Sequence, residues 1–417
     1  TLPNPMREAI RLTRDGRLAE ATALLQRSLL GDAPPGGAVA TPQDAARPAA
    51  GRPARIIDID PATGEALPSG PDDTADARRH RSADAWRAAG SGQTVASLLP
   101  GLLPKALRDL PGLNASREAL QPTAPLPEGA QFLTRSFTGQ AGSLGYKLYI
   151  PGGFGSAAMP LVVMLHGCTQ SPDDFAAGTR MNRLADEHGC VIAYPCQTRA
   201  ANAQKCWNWF SPSDQQRDQG EPALIAGITR QIARDHAVDR QRVYIAGLSA
   251  GGAAAAVMGM AYPDLYAAIG VHSGLACGAA RDIPSAFAAM RQGATAPHEA
   301  GPGPAGRRML PTIVFHADKD GTVHPRNGDQ VIAQSAASDR LRSETHRGRV
   351  PGGHAYTRTT HIDASGQAVL EQWLVHGGGH AWSGGSSAGS YTDPRGPDAS
   401  REMLRFFLQH ALRHDAG

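Results

Sequence analysis

The sequence predicts an α/β protein: a mostly parallel central sheet with helices on both faces. Three observations carry this. From Gly129 onward, short apolar runs alternate with longer helical patterns. The apolar runs are continuous, as strands covered on both faces must be. One of them, Val243-Tyr244-Ile245-Ala246, passes through Gly247-Leu248-Ser249-Ala250-Gly251 into a small-residue helix. That is a strand, a sharp turn and a helix, with a serine at the apex.

The elements follow in order. The spacing of Ile10, Leu12, Leu18, Ala21, Leu24 and Leu25 predicts a helical hairpin over 1–30, begun by Pro5 and broken at Asp15-Gly16. Arg7, Arg11, Arg14 and Arg17 give it a basic face. It is read first as packing on the main domain, with an amphipathic anchor for a hydrophobic surface as the alternative. Residues 31–128 are rich in Pro, Ala and Gly and poor in apolar periodicity, which predicts a largely irregular linker. One helix is expected in it, over 75–89, and the apolar stretch 95–107 is a candidate for docking on the main domain. The main domain, 129–417, opens with paired strands over 131–137 and 144–150. Strands follow over 161–165, 191–194, 243–246, 267–271, 312–315 and 368–375. Helices are predicted over 173–188, 222–236, 249–261 and 328–335. Ligands of such sheets bind beyond the carboxyl ends of the strands.

Composition narrows the function. The 417 residues carry a net charge of only +3, and no Lys/Arg run is interleaved with aromatics, so nucleic-acid binding is not expected. No apolar run is long enough to span a bilayer. Residues 1–17 show no signal-peptide pattern, which favours a cytoplasmic protein. The chain starts without Met, so a secreted protein processed upstream stays open. The five cysteines (Cys168, Cys190, Cys196, Cys206 and Cys277) are too few for a disulfide-built scaffold, and their odd number leaves at least one without a partner in the chain. Neither C-x-x-C nor H-E-x-x-H occurs, so no metal is expected. Cys190 and Cys196 flank a predicted strand that holds them roughly 20 Å apart, too far to bridge.

The chemistry starts from Ser249. A serine hydroxyl is a weak nucleophile and needs an adjacent base, itself oriented by a third group. In α/β-hydrolases the chain order is Ser, then Asp or Glu, then His. After the strand at 312–315 comes His316-Ala317-Asp318-Lys319-Asp320-Gly321-Thr322-Val323. Asp320 is favoured as the orienting acid over Asp318, because its turn re-enters apolar packing at Val323. After the last strand comes His376-Gly377-Gly378-Gly379-His380-Ala381-Trp382. The glycines let a tight loop carry His380 to the serine, whereas His376 is still at the strand end. An oxyanion needs backbone donors. The N–H of Ala250 supplies one. The loop Leu165-His166-Gly167-Cys168-Thr169-Gln170 supplies the second from Cys168, with Thr169 as runner-up. His166 is read as a loop anchor. Trp209 and Trp382 are read as an apolar substrate wall, and for Trp207 wall and core are equally open.

Six motifs in this order resemble the polyhydroxybutyrate depolymerase family of esterases: Leu165-His166-Gly167-Cys168-Thr169-Gln170, Cys206-Trp207-Asn208-Trp209-Phe210, Gly247-Leu248-Ser249-Ala250-Gly251, His272-Ser273-Gly274-Leu275, Asp320-Gly321-Thr322-Val323 and Gly379-His380-Ala381-Trp382. The resemblance covers about 129–410. It implies an α/β-hydrolase fold, a Ser249, Asp320, His380 triad, an oxyanion hole at Cys168 and Ala250, and a Cys168–Cys206 bridge. Thr169 and Ser273, inside two of the motifs, are read as further substrate contacts. No cofactor is expected. The expected partner is a 3-hydroxybutyrate polymer or oligomer, with a granule surface as a wider target. The same family contains feruloyl and acetylxylan esterases, which leaves a carbohydrate ester as the alternative substrate.

Overall fold

Strand β3 (Met159–Leu165) shows how the core is organised. All seven of its residues are buried. Leu161, Val163 and Leu165 enter one apolar cluster, and Val162 and Met164 enter another. Successive strand residues point to opposite faces, so the strand must be covered on both sides. β5 (Val238–Leu248) repeats the pattern, with Val243 and Ile245 on the first face and Tyr244, Ala246 and Leu248 on the second. Each Val, Leu, Ile or Met among them, fully buried, contributes about 1.5–3 kcal/mol.

The computed structural model describes residues 126–153, 157–294, 310–336 and 341–412. The hairpin expected over 1–30 and the linker expected over 31–128, with its helix and apolar stretch, lie outside these residues apart from 126–128. The other strands of the main sheet are β1 (Gln131–Gly139), β2 (Gly142–Ile150), β4 (Val191–Cys196), β6 (Ala268–His272), β7 (Thr312–Ala317), β8 (Arg342–Arg349), β9 (Ala355–Ile362) and β10 (Ala368–His376). Among the described residues they form one ten-stranded sheet, ordered β1-β2-β4-β3-β5-β6-β7-β10-β9-β8. From β4 to β10 every neighbour is parallel. Antiparallel strands extend both edges.

Helices cover both faces. On the first lie α3 (Gly220–Asp235), α4 (Ala250–Ala261), α5 (Ile283–Gln292) and α6 (Arg326–Ser335); on the second lie α1 (Pro172–Thr179), α2 (Met181–His188) and α7 (Ala399–Phe407). The small residues of α4 let it sit against the sheet. A Cβ on Gly251 would lie 2.1 Å from the Leu165 carbonyl oxygen.

Two expectations need correction. The single helix expected over 173–188 is two helices, broken at Arg180, whose φ of 56° is left-handed. Its guanidinium donates to the Gly384 carbonyl (2.6 Å) and pairs with Asp398 (3.5 Å), tertiary contacts that help hold the break. The sequence reading also lacks β8, β9, α5 and α7. No helix among the described residues is long and apolar enough to cross a membrane.

Candidate active site

The sheet register brings four strand ends side by side. Leu248 on β5 pairs with His272 on β6, His272 pairs with Phe315 on β7, and Ala317 on β7 pairs with Val375 on β10. Ser249, Asp320 and His380 lie just beyond these ends, in the loops where ligands of parallel sheets bind.

Ser249 caps α4 with φ 57° and ψ −119°. A non-glycine residue in such a region costs about 1–3 kcal/mol, and the surroundings must hold it there. They do so by backbone bonds: the Ser249 N–H donates to the His272 carbonyl, and the Ser249 carbonyl accepts from the Ala253 N–H, both at 2.9 Å. The flanking glycines are required by close approach. A Cβ on Gly247 would lie 2.3 Å from the Gly251 carbonyl oxygen.

Asp320 and His380 are in direct contact. His380 Nδ1 lies 2.7 Å from Asp320 Oδ2, and the two side chains are 8% and 0% exposed. Asp320 Oδ1 accepts the Thr322 and Val323 N–H groups at 2.9 and 2.8 Å. His316 approaches Oδ2 at 3.5 Å while donating to the Val323 carbonyl at 2.8 Å. Burial pushes the Asp320 carboxyl up, but the His380 charge and the hydrogen bonds from His316 and His380 outweigh it and hold Asp320 far below the usual carboxylate range. The pair fixes His380 Nδ1 as a donor and leaves Nε2 for chemistry. The two rivals considered in the sequence partner each other instead: His376 Nδ1 lies 3.0 Å from Asp318 Oδ2, and Asp318 Oδ1 accepts the Gly377 N–H at 2.7 Å.

The loop after β3 is strapped from several sides. Cys168 is disulfide-bonded to Cys206. Gly167 N–H donates to Gln170 Oε1 (2.9 Å), Thr169 N–H donates to the Gln204 carbonyl (2.6 Å), and Trp207 Nε1 donates to the His166 carbonyl (3.0 Å). The runner-up amide, Thr169, is therefore already used. Among the described residues the Cys168 N–H has no acceptor, and the Ala250 N–H, in the first turn of α4, has no intrahelical one. His166 Nε2 accepts the Gln197 N–H at 3.1 Å, and burial pushes its pKa down to about 4. It is a neutral anchor between two loops.

Residues 144–349 match the family model described as Esterase PHB depolymerase. That stretch is similar to the PHB depolymerase esterases. Poly(3-hydroxyalkanoate) depolymerase C of Paucimonas lemoignei is 30% identical over 258 residues, which are 59% of this chain and 60% of that protein. The chain thus spans about three fifths of the depolymerase's length. Feruloyl esterase B of Neurospora crassa is 28% identical over 262 residues, 59% of this chain and 82% of that protein. The solved acetyl xylan esterase from Aspergillus awamori superposes with a TM-score of 0.51 at 18% identity, covering 67% of this chain and 99% of that one. That likeness is one of fold, the α/β-hydrolase fold.

In this domain, which is similar to the PHB depolymerase esterases, three expected substrate contacts are misplaced. Trp382 is 1% exposed. It stacks on His272 (4.9 Å), meets Phe175 edge-on (5.4 Å) and donates from Nε1 to Ser400 Oγ (3.0 Å). It is a core residue. Trp209 is 6% exposed, packed in the core with an edge-on contact to Phe210. Ser273 is fully buried, with its hydroxyl 3.2 Å from His272 Nδ1 and its N–H on the Phe315 carbonyl. Trp207, left open by the sequence, is fully buried. Thr169 is exposed, with its hydroxyl 3.2 Å from that of Tyr391.

Two residues escaped the sequence reading. Glu221, in the first turn of α3, accepts the Asn208 N–H and side-chain amide, both at 2.7 Å, and the Gln197 side-chain amide. It thereby ties the Cys206-containing loop to the residue that anchors His166. Burial pushes Glu221 up to about 7 against these hydrogen bonds. Tyr391 joins the rim from the segment after His380. An acid placed after the Gln-Gly at 219–220 was the only sequence signal for Glu221. Among the described residues no group of three or more His, Cys, Asp or Glu side chains is arranged to hold a metal.

Proposed function

We propose that this protein is a serine esterase that hydrolyses short-chain polyhydroxyalkanoate, as 3-hydroxybutyrate polymer or oligomers. The observation that carries the chemistry is the buried Asp320–His380 pair at 2.7 Å, on the same edge of the sheet as the β5 end that carries a serine held at φ 57°. In this reading Ser249 Oγ attacks the ester carbonyl and His380 Nε2 takes its proton. Asp320 keeps the ring in the tautomer that can accept and stabilises the imidazolium that results. The Ala250 and Cys168 amides receive the negative oxygen of the tetrahedral intermediate. His380 then gives its proton to the departing alcohol, leaving an acyl-serine. Water, deprotonated by His380, releases the acid and restores the enzyme. The match to the Esterase PHB depolymerase model and the Paucimonas relative support the polyester as substrate.

A carbohydrate ester is the second reading. It is favoured by the Neurospora feruloyl esterase, which matches over 82% of its own length. Parallel assays on amorphous polyhydroxybutyrate, a hydroxybutyrate dimer and methyl ferulate separate the two. Ser249→Ala should lower kcat by roughly 10⁴- to 10⁶-fold on whichever ester is turned over. Full activity in that variant would overturn the mechanism.

A further inference from the structure

His272 is buried beneath the site and has no place in the chemistry above, yet it touches two of the site's loops and the strand that leads to the third. Its carbonyl accepts the Ser249 N–H at 2.9 Å, at the strained turn itself. Its ring Nε2 accepts the Ser383 N–H at 2.9 Å, three residues beyond His380. The ring lies near-parallel to Phe315 of β7, the strand that leads to Asp320, and to Trp382 of the His380 loop, with centroids at 5.8 and 4.9 Å.

A nitrogen that accepts a backbone N–H carries no proton. The ring proton is then on Nδ1, facing Ser273 Oγ at 3.2 Å. The buried setting keeps the ring in this neutral form: burial, with His316 and His380 nearby, pushes its pKa down to about 3. A cationic ring here would lose its acceptor and release Ser383.

We propose that His272 is a positioning residue, whose ring Nε2 holds the His380 loop in register with the Ser249 elbow through Ser383. The proposal rests on the Ser249, Asp320, His380 reading. It assigns Ser273 a role as well: its hydroxyl helps to fix the tautomer.

The test contrasts two substitutions that both lose the ring. In His272→Gln the amide oxygen can reach the place of Nε2. In His272→Asn it reaches only the place of Nδ1. Misplacement of a reacting group by about 1 Å costs on the order of 10²-fold. His272→Asn should therefore lower kcat on a soluble p-nitrophenyl ester by about that factor, with KM changed less than about threefold. Fluorophosphonate labelling of Ser249 should slow in parallel. His272→Gln should recover most of the loss. Equal losses in the two variants would assign the effect to ring packing and overturn the proposal, as would an Asn variant with wild-type kcat. The unmodified protein gives a check that needs no variant to fold: ¹⁵N spectra of labelled histidine at pH 7 should show His272 protonated on Nδ1 alone. A proton on Nε2 would overturn the proposal. Ser249→Ala, run alongside, keeps the readings apart. Its inactivity with an unaffected His272→Asn defeats only the positioning role, and its full activity defeats the triad.

Discussion

Removing the Cys168–Cys206 bridge should cost far more stability than catalysis. The bridge closes a loop of 38 residues. The loop-entropy relation gives about 13 cal/mol/K for that length, or about 4 kcal/mol at 25 °C. For a domain of roughly 280 residues the unfolding entropy is about 0.6 kcal/mol/K, so the midpoint should fall by about 7 °C. The catalytic effect is bounded differently. Losing an oxyanion donor outright costs about 10²–10³ in kcat, but the loop keeps its other straps. Gly167 N–H stays on Gln170, Thr169 N–H on Gln204 and Trp207 on His166. The Cys168→Ala/Cys206→Ala double variant should therefore lose less than about tenfold in kcat. Thermal and guanidinium unfolding, with steady-state kinetics on a soluble ester well below the new midpoint, read both numbers. An unchanged midpoint would refute the entropy argument. A loss near 10³ in kcat would refute the claim that the hydrogen-bonded straps hold the loop.

Asp320→Asn places an amide where His380 Nδ1 donates and should lower kcat by about 10⁴-fold, whereas Asp318→Asn, which touches His376 and Gly377, should cost less than about tenfold; stopped assays on one soluble ester compare them. Acid should unfold the domain through His166 and His272. Their folded pKa values, about 4 and about 3, lie below the ordinary histidine value of 6.5, so the unfolded chain binds protons that the folded one refuses. Stability is full above about 6.5 and is lost as pH falls toward 3, on the order of 3 and 5 kcal/mol for the two groups. Urea titrations between pH 7 and 4 should show this slope, and a flat profile would contradict it. Glu221, raised to about 7 from 4.5, acts with the opposite sign, its contribution being lost as pH rises from about 4.5 through 7. Glu221→Gln should therefore steepen the acid slope between pH 6.5 and 4.5 in the same titrations.

The parts of the fold legible in the sequence are those where one segment's chemistry suffices. β3 reads as Met-Pro-Leu-Val-Val-Met-Leu because each face of it meets a core. The elbow is legible because Gly247 and Gly251 are demanded by local backbone approach. What is not legible depends on distant partners. β8, Arg-Ser-Glu-Thr-His-Arg-Gly-Arg, has no apolar alternation, because it is an exposed edge strand held by its ladder with β9 alone; its charges deter further pairing. The break at Arg180 involves Gly384 and Asp398, some 200 residues away. In the candidate site, strand ends and chain order single out Asp320 and His380, the pair the structure brings together. They say nothing about the direction of a side chain. Trp382 stands two residues from His380, yet its ring turns away, into the cluster of Phe175, His272 and Ser400. α7 was within reach: Asp398 caps it, and Met403, Leu404, Phe406 and Phe407 give its apolar face.

The choice of imidazole at position 272 follows from the charge beside it. The Ser383 N–H needs a buried acceptor, and an Asp or Glu could supply one. A carboxylate there would set a second negative charge within the field of Asp320 and draw on the same imidazolium that Asp320 must stabilise. It would also have to be desolvated without a cationic partner, which costs several kcal/mol. Asn or Ser would accept without charge but would give up the flat face that meets Phe315 and Trp382. A neutral histidine satisfies the amide, fills the apolar layer and leaves Asp320 as the carboxylate that His380 meets. The same logic places His166 under the loop after β3, where it accepts the Gln197 N–H at 3.1 Å with the Trp207 ring 5.6 Å away. Both supports hold only while neutral. Loss of activity on acidification should therefore stay reversible down to the pH at which these rings take protons, and should become loss of structure below it.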